Sequence, residues 1–192
     1  ELPSEEYEQI LPRVFQALRF MDDPRTLKVL EERYQSAGDE TRWPILNLLI
    51  VLNDPHAVDL LIAIAKTGDE SERPNAIGKL VQIGDTRAVA PLRELLNSPD
   101  VTLSSKERRS ILDALVTLND PTVVDLLLPL LSDEQERSYA VGRLARVGNP
   151  RTVEPLVRLL SDPKEAFRRN VATSLLSLGT PGVTALLKAL DD

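Results

Sequence analysis

The chain contains no cysteine, which excludes a disulfide framework, a thiolate nucleophile and any cysteine-ligated metal. It has a single histidine, His56, so a Cys–His pairing is excluded and any other histidine-activated nucleophile would have to draw on that one residue. Aromatic residues are only 4% of the 192 residues, so any core must be filled by Leu, Val, Ile and Ala. The longest nearly apolar run, Ile45 to Leu52, is interrupted by Asn47 and falls far short of the ~20 residues that span a bilayer. There is no Gly-rich phosphate loop: Gly78 and Gly84 are separated by a helical pattern and the third glycine is missing. No signal-peptide pattern or Asn-x-Ser/Thr acceptor is present, and the chain opens on Glu1 rather than Met. A trimmed start, a cytoplasmic location and a piece of a longer protein are the expectations.

Positive charge is in short supply at one end. The net charge is −7, and residues 1–70 hold 7 Lys/Arg against 14 Asp/Glu, whereas residues 71–192 hold 16 of each. General nucleic-acid binding rests on neutralising phosphates, so this balance argues against it.

What the chain does have is a ruler. Asp22-Asp23-Pro24, Asn53-Asp54-Pro55, Gly84-Asp85-Thr86, Asn119-Asp120-Pro121, Gly148-Asn149-Pro150 and Gly179-Thr180-Pro181 end 31, 31, 35, 29 and 31 residues apart. The first residue of each tripeptide tolerates the left-handed conformation that closes a helix. The second can cap the next helix with its side-chain oxygen, and Pro suits the first position of that helix. Each tripeptide therefore joins one helix directly to the next. A fixed period near thirty residues implies one supersecondary unit stacked on itself.

Apolar residues keep the same register. Six residues after the junction's last residue stand Leu30, Leu61, Leu92, Leu127, Leu156 and Leu187; six before it stand Leu18, Leu49, Leu80, Leu115, Leu144 and Leu175. Ten before it are Val14, Ile45, Ala76, Ile111, Ala140 and Val171. With the positions three away these offsets form one stripe per helix. Capping-box spacing at Asp69…Glu72, Ser104…Glu107, Asp133…Glu136 and Asp162…Glu165 starts the second helix of each unit. The spacing predicts five hairpins, A then B: 25–37 with 41–52, 55–66 with 71–83, 86–97 with 105–118, 121–131 with 134–147, and 150–160 with 165–178. A B-type helix at 5–21 precedes them and an A-type helix at 181–190 follows, making an all-α solenoid of about eleven helices over residues 1–192. Pro91, Pro129 and Pro155 fall inside A helices, where bends are expected.

Gly84-Asp85-Thr86-Arg87-Ala88-Val89-Ala90-Pro91-Leu92 and Gly148-Asn149-Pro150-Arg151-Thr152-Val153-Glu154-Pro155-Leu156 resemble the short HEAT repeat of phycobilisome-lyase-type proteins. The resemblance implies an α–α superhelix with B helices lining the concave surface, and an Arg near the start of helix B. Thirteen residues before each junction end stand Arg42, Arg73, Arg108, Arg137 and Arg168, with Leu11 in the first unit. A cation there opposes the helix dipole, so a ladder is expected in which each Arg bonds turn carboxylates and A-helix carbonyls.

The functional reading is a non-catalytic scaffold, without cofactor or metal, that binds a protein or peptide on the concave B-helix face. The expected contacts are Trp43, Leu48 and Val51 with Phe20, then Lys79 and Gln82, then Asp113, Tyr139, Arg143 and Arg146. Aromatic and Arg side chains are the usual hot-spot types. Uncovered Leu186, Leu187 and Leu190 add possible end-to-end or hetero-association. The resemblance also implies an alternative, one subunit of a heterodimeric phycobilin lyase or a related pigment-protein maturation factor. A HEAT-type DNA glycosylase would need a basic groove, and the acidity opposes it. His56, beside Asp54 and Asp59, reads as a surface histidine, because a metal site needs several convergent ligands.

Overall fold

The computed structural model describes residues 17, 24–36, 38–69, 71–99 and 101–191. Among the described residues there are eleven α-helices and no strand. Apart from residue 17, the helix expected at 5–21 lies outside the described residues, as do Phe20 and the first junction's Asp22 and Asp23. The chain groups into two compact units, residues 1–88 and 89–192.

The N-terminal unit contains two hairpins: α1 (Pro24–Ser36) with α2 (Asp39–Val51), and α3 (Pro55–Thr67) with α4 (Glu72–Ile83). A 3-10 turn, Thr86–Ala88, closes it against α3. The C-terminal unit runs α5 (Val89–Asn97), α6 (Ser105–Thr117), α7 (Val123–Leu127), α8 (Arg137–Val147), α9 (Val153–Arg158), α10 (Glu165–Ser177) and α11 (Thr180–Asp191). Here α6, α8 and α10 are the B helices.

Each described junction does what its residues dictate. Asn53, Gly84, Asn119, Gly148 and Gly179 all sit at positive φ, between 56° and 73°. The next residue then accepts a backbone N–H two positions on: Asp54 from His56, Asp85 from Arg87, Asp120 from Thr122 and Asn149 from Arg151, all at 2.8–2.9 Å. Chain reversal and capping are thus completed within three or four residues.

The B helices bury a constant stripe. Leu49, Leu80, Leu115, Leu144 and Leu175 are all 0% exposed, and Ile45, Ala76, Ile111, Ala140 and Val171 are all buried. On the A side Leu61, Leu92, Leu127 and Leu156 are equally enclosed. Each such Leu contributes about 1.5–3 kcal/mol of apolar burial. In the C-terminal unit Val141, Leu156, Phe167, Val171 and Leu175 form a cluster, with Leu131, Val153, Leu160 and Leu186 packed around it. Leu187, on α11, is 61% exposed at the position that every other described repeat buries.

The prolines act differently from the expectation of bent helices. A helices change type instead. Val89 and Val153 begin α-helical segments directly after 3-10 turns at Thr86–Ala88 and Pro150–Thr152. This places Pro91 and Pro155 at the third position of their segments, where a backbone N–H has no intrahelical partner to lose. Pro129 lies in the 3-10 segment Leu128–Ser132 that follows α7.

Capping is likewise selective. Ser104 and Glu107 form a complete reciprocal box, and Asp69 and Glu72 exchange bonds at 2.9 and 3.4 Å. Glu136 and Glu165 instead turn to Arg109 and Arg169; Asp133 still accepts the Glu136 N–H at 3.2 Å, so that box is half made, whereas Asp162 accepts the Lys164 N–H at 2.9 Å and the expected box with Glu165 is not made. The fourth B helix consequently starts at Arg137 rather than 134.

Candidate interaction surface

One column of each B helix faces outward in every described repeat. Four residues before the junction ends stand Val51, Gln82, Thr117, Arg146 and Ser177, and all five are exposed. The column seven residues before is different. Leu48 is only 3% exposed, Ala114 is buried and Ser174 is 6% exposed. Leu48 is therefore not available to a partner. Helix α2 packs on α1 before it and α3 after it, and this two-sided packing widens its buried stripe to Ile45, Leu46, Leu48 and Leu49.

In the N-terminal unit, Trp43, Asn47 and Val51 are spaced four apart and so share one stripe of α2. Trp43 is half-buried and lines a groove of about 340 Å³ with Tyr34, Arg42, Ile64 and Glu72. Asn47 Oδ1 is buried without a hydrogen-bond donor, and Val51 is 50% exposed. Lys79 is half-buried and Gln82 exposed on α4.

In the C-terminal unit, Tyr139, Arg143 and Arg146 follow one another along α8. The Tyr139 hydroxyl donates to Asp113 Oδ1 at 2.7 Å, and lies 3.0 Å from the Arg109 carbonyl. Burial, then Asp113, pushes this phenol well above the ordinary tyrosine range. Arg143 Nη2 donates to Asp113 Oδ2 at 2.9 Å, while its Nε sits 2.5 Å from Oδ1, off the hydrogen-bond line. Arg143 and Arg109 both lie about 5 Å from the Tyr139 ring centroid, at 5.1 and 5.2 Å. Arg109 continues the network to Glu136 at 2.8 Å, and Glu136 holds its guanidinium above the usual arginine range. Asp113 and Arg143 thus neutralise each other. Arg146 is exposed and has no hydrogen bond or ion pair among the described residues; it borders a crevice of about 300 Å³ with Asn119, Asp120 and Asn149.

The five arginines near the B-helix starts divide. Arg73 is buried and donates from Nη2 to the Gly68 carbonyl at 2.7 Å and from Nε to the Ala65 carbonyl at 3.2 Å, at the end of α3. Arg168 donates to the Asp162 and Pro163 carbonyls at 2.7 and 3.0 Å. Arg137 reaches forward to the Asp162 carboxylate and lies 4.3 Å from the Phe167 ring centroid. Arg42 is exposed and not without a partner. Arg108 is exposed, with no hydrogen bond or ion pair among the described residues. Its neighbour Arg109 takes a charged contact instead, to Glu136.

A second set of contacts, on the junction side, carries no signal in the composition. The junction residues one before and one after the last tripeptide residue meet the preceding A helix. Arg87 bonds Asp85 Oδ2 at 3.0 Å and crosses to the Pro55 carbonyl at 3.2 Å and to Asp59 at 3.4 Å. Arg151 crosses to Asp125 at 2.8 Å. Arg93 reaches Thr122 at 3.4 Å and lies 3.6 Å from Asp120. At the corresponding place between α1 and α3, His56 Nδ1 lies 2.5 Å from Glu31 Oε1 and 3.2 Å from Asp54 Oδ1. The sequence reading placed Asp54 near His56 but missed Glu31, which comes from the preceding repeat.

Comparison with known families reaches the same architecture from two separate segments. Residues 132–192 match HEAT repeats, and residues 75–98 match the PBS lyase HEAT-like repeat. None of the curated proteins matches the chain. No helix among the described residues is long and apolar enough to cross a membrane.

Proposed function

We propose that this short HEAT-repeat chain is a non-catalytic scaffold that binds a protein or peptide along its B-helix face. The observation that carries the reading is the column Val51, Gln82, Thr117, Arg146 and Ser177: every described B helix leaves this position open while enclosing the residues two and six places earlier. A stripe that packing does not use is free to carry recognition. In the N-terminal unit the anchors are Trp43 and Val51, with the undonated Asn47 Oδ1 between them. In the C-terminal unit the contact is Arg146, an unpaired cation suited to a partner carboxylate, two turns along α8 from Tyr139. Arg143 serves to hold Tyr139 and Asp113 in place and is withdrawn from direct contact.

The test is capture of partners on the immobilised chain, followed by affinity measurements on Val51→Glu and Arg146→Glu. Each should weaken binding at least tenfold while leaving thermal unfolding nearly unchanged, since neither side chain is part of the core. Binding indifferent to both substitutions would remove the B-helix face from consideration. The match of residues 75–98 to the PBS lyase HEAT-like repeat favours one second reading, a pigment-protein maturation factor. Visible absorbance that appears on mixing with a free bilin and survives gel filtration would support it.

A further inference from the structure

The junction-side contacts form one slot repeated along the chain. Its three positions are the seventh residue after one junction end and the residues just before and just after the next. Four of the five slots are balanced. Asp85 is met by Arg87, with Ile62 as the third member. Asp120 and Thr122 are met by Arg93. Asn149 and Leu128 accompany Arg151, which has Asp125 as its anion. Val157, Thr180 and Gly182 carry no charge, and a Cβ on Gly182 would stand 1.8 Å from the Leu175 carbonyl oxygen, so that slot is closed by backbone.

The first slot is the exception. Glu31 and Asp54 are two acids, and the third member is His56, which has no permanent charge at neutral pH. The Asp54 side chain is only 2% exposed. Its Oδ1 accepts the His56 N–H at 2.9 Å, but Oδ2 is buried with no hydrogen-bond partner. At Asp85 the same Oδ2 is the oxygen that Arg87 Nε bonds. What fills the slot in the next repeat is therefore a cation, and here no fixed cation meets the two acids among the described residues.

We infer that Glu31, Asp54 and His56 bind a divalent transition-metal ion of the zinc class, clamping α1 to the start of α3. Their donor atoms lie within 4.8 Å of one another. Bonds of about 2.0–2.2 Å to nitrogen and oxygen set neighbouring ligands roughly 3 Å apart. The 3.2 Å between Nδ1 and Asp54 Oδ1 already fits this spacing, and the 2.5 Å to Glu31 Oε1 needs only a small opening of a side chain on the surface. An imidazole nitrogen with two carboxylates suits Zn²⁺ and its first-row neighbours better than Ca²⁺ or Mg²⁺, which take all-oxygen shells. Nδ1 binds through its lone pair, so Nε2 carries the ring proton and points outward. Two carboxylates cancel the ion's charge and outweigh the opposing field of the α3 N-terminus, which Arg87 also faces at its own junction.

Because His56 is the only histidine, its ring signals in nitrogen–proton NMR report on this site alone. Zn²⁺ added to the full chain at neutral pH should shift those signals with saturation at one ion per chain, and should raise the thermal midpoint. Glu31→Gln and His56→Asn should each weaken binding by tenfold or more while circular dichroism stays that of the parent. Asp54 is left intact because it caps α3. The inference is overturned if no saturable shift is seen up to about 1 mM Zn²⁺, a ceiling equivalent to about −4 kcal/mol. It is also overturned if Zn²⁺ binds with the same affinity in both variants.

Discussion

Arg137 and Asp162 offer the sharpest test of how one repeat is fastened to the next in the C-terminal unit. Arg137 begins α8, and Asp162 lies in the turn before α10. Their side chains are 17% and 8% exposed, so the pair is shielded from most solvent and salt. Arg137→Met keeps the aliphatic stem against Phe167 and removes only the charge and its donors. The variant leaves a nearly buried carboxylate facing no cation. A hydrogen bond to a charged group is worth about 1.5–3 kcal/mol, and the stacked guanidinium adds about 0.5–1 kcal/mol. The expected loss is therefore about 2–4 kcal/mol, short of the 3–5 kcal/mol seen for fully buried pairs. For a chain of this size that is a fall of roughly 4–16 °C in midpoint. Asp162→Asn is the matching change, since Asn retains an oxygen for the Lys164 N–H that Asp162 Oδ1 now accepts at 2.9 Å. Urea unfolding of the parent, both single variants and the double variant gives a coupling energy, expected at about 1–3 kcal/mol. Hydrogen exchange should localise the loosening to 137–147 and 165–177. A coupling energy near zero would mean that the two groups are merely adjacent, and the fastening role would be abandoned.

Two further outcomes follow from burial and charge. Leu144→Ala, at a side chain that is 0% exposed, should cost about 2–5 kcal/mol, whereas Leu187→Ala, at 61% exposure, should cost roughly 1 kcal/mol or less; denaturant curves that reverse this order would contradict the repeat register. The Arg87 guanidinium and backbone N–H hold the Asp85 carboxyl below the usual aspartate range. A folded-state pKa below the unfolded one stabilises above the unfolded pKa, and the benefit is lost as pH falls through the folded value. Asp85→Asn should therefore lower stability at neutral pH and flatten the acid limb of the stability–pH curve, and an unchanged acid limb would refute the assignment.

The fold was legible because its punctuation is local. An αL residue followed by an N-cap, usually with a first-turn Pro, completes its geometry within a few residues: all five described junctions have the positive φ, and four of them make the cap bond locally. When the adjoining 3-10 segments are counted with the A helices, helix limits lie within three residues of those the spacing predicts, the largest difference being the start of α8. That one shifts because Glu136 leaves its box for Arg109, a partner 27 residues away. Long-range competition for a carboxylate cannot be read from capping-box spacing. Leu48 failed for a related reason: an offset of seven from the junction places it on an outer stripe only if each B helix has one packed side, and α2 has two. The A-helix prolines were seen, but their remedy was not, since a bend and a switch to 3-10 geometry satisfy the same missing N–H.

The cation slot shows where a periodic sequence holds more than a linear reading takes from it. Nothing near His56 along the chain nominates Glu31, which is 25 residues earlier, and beside Asp54 alone the histidine is unremarkable. Once one slot is seen in space, the ruler assigns all the others. Columns at the seventh residue after a junction and at the residues flanking the next can then be read down the chain. Arginine appears in the Ile62–Asp85–Arg87, Arg93–Asp120–Thr122 and Leu128–Asn149–Arg151 sets, and no charge appears in Val157–Thr180–Gly182. Glu31–Asp54–His56 alone has two acids without a fixed positive charge. Repetition supplies the control that a single sequence otherwise lacks: neighbouring units show how the position is filled, and the unit that departs from them is where the proposed ion is to be tested. For the B-helix face the same comparison gives a different answer. Its open column holds Val51, Gln82, Thr117, Arg146 and Ser177, five unlike side chains held to one exposure, which is the pattern expected where the backbone fixes the platform and a partner, read residue by residue, fixes the choice.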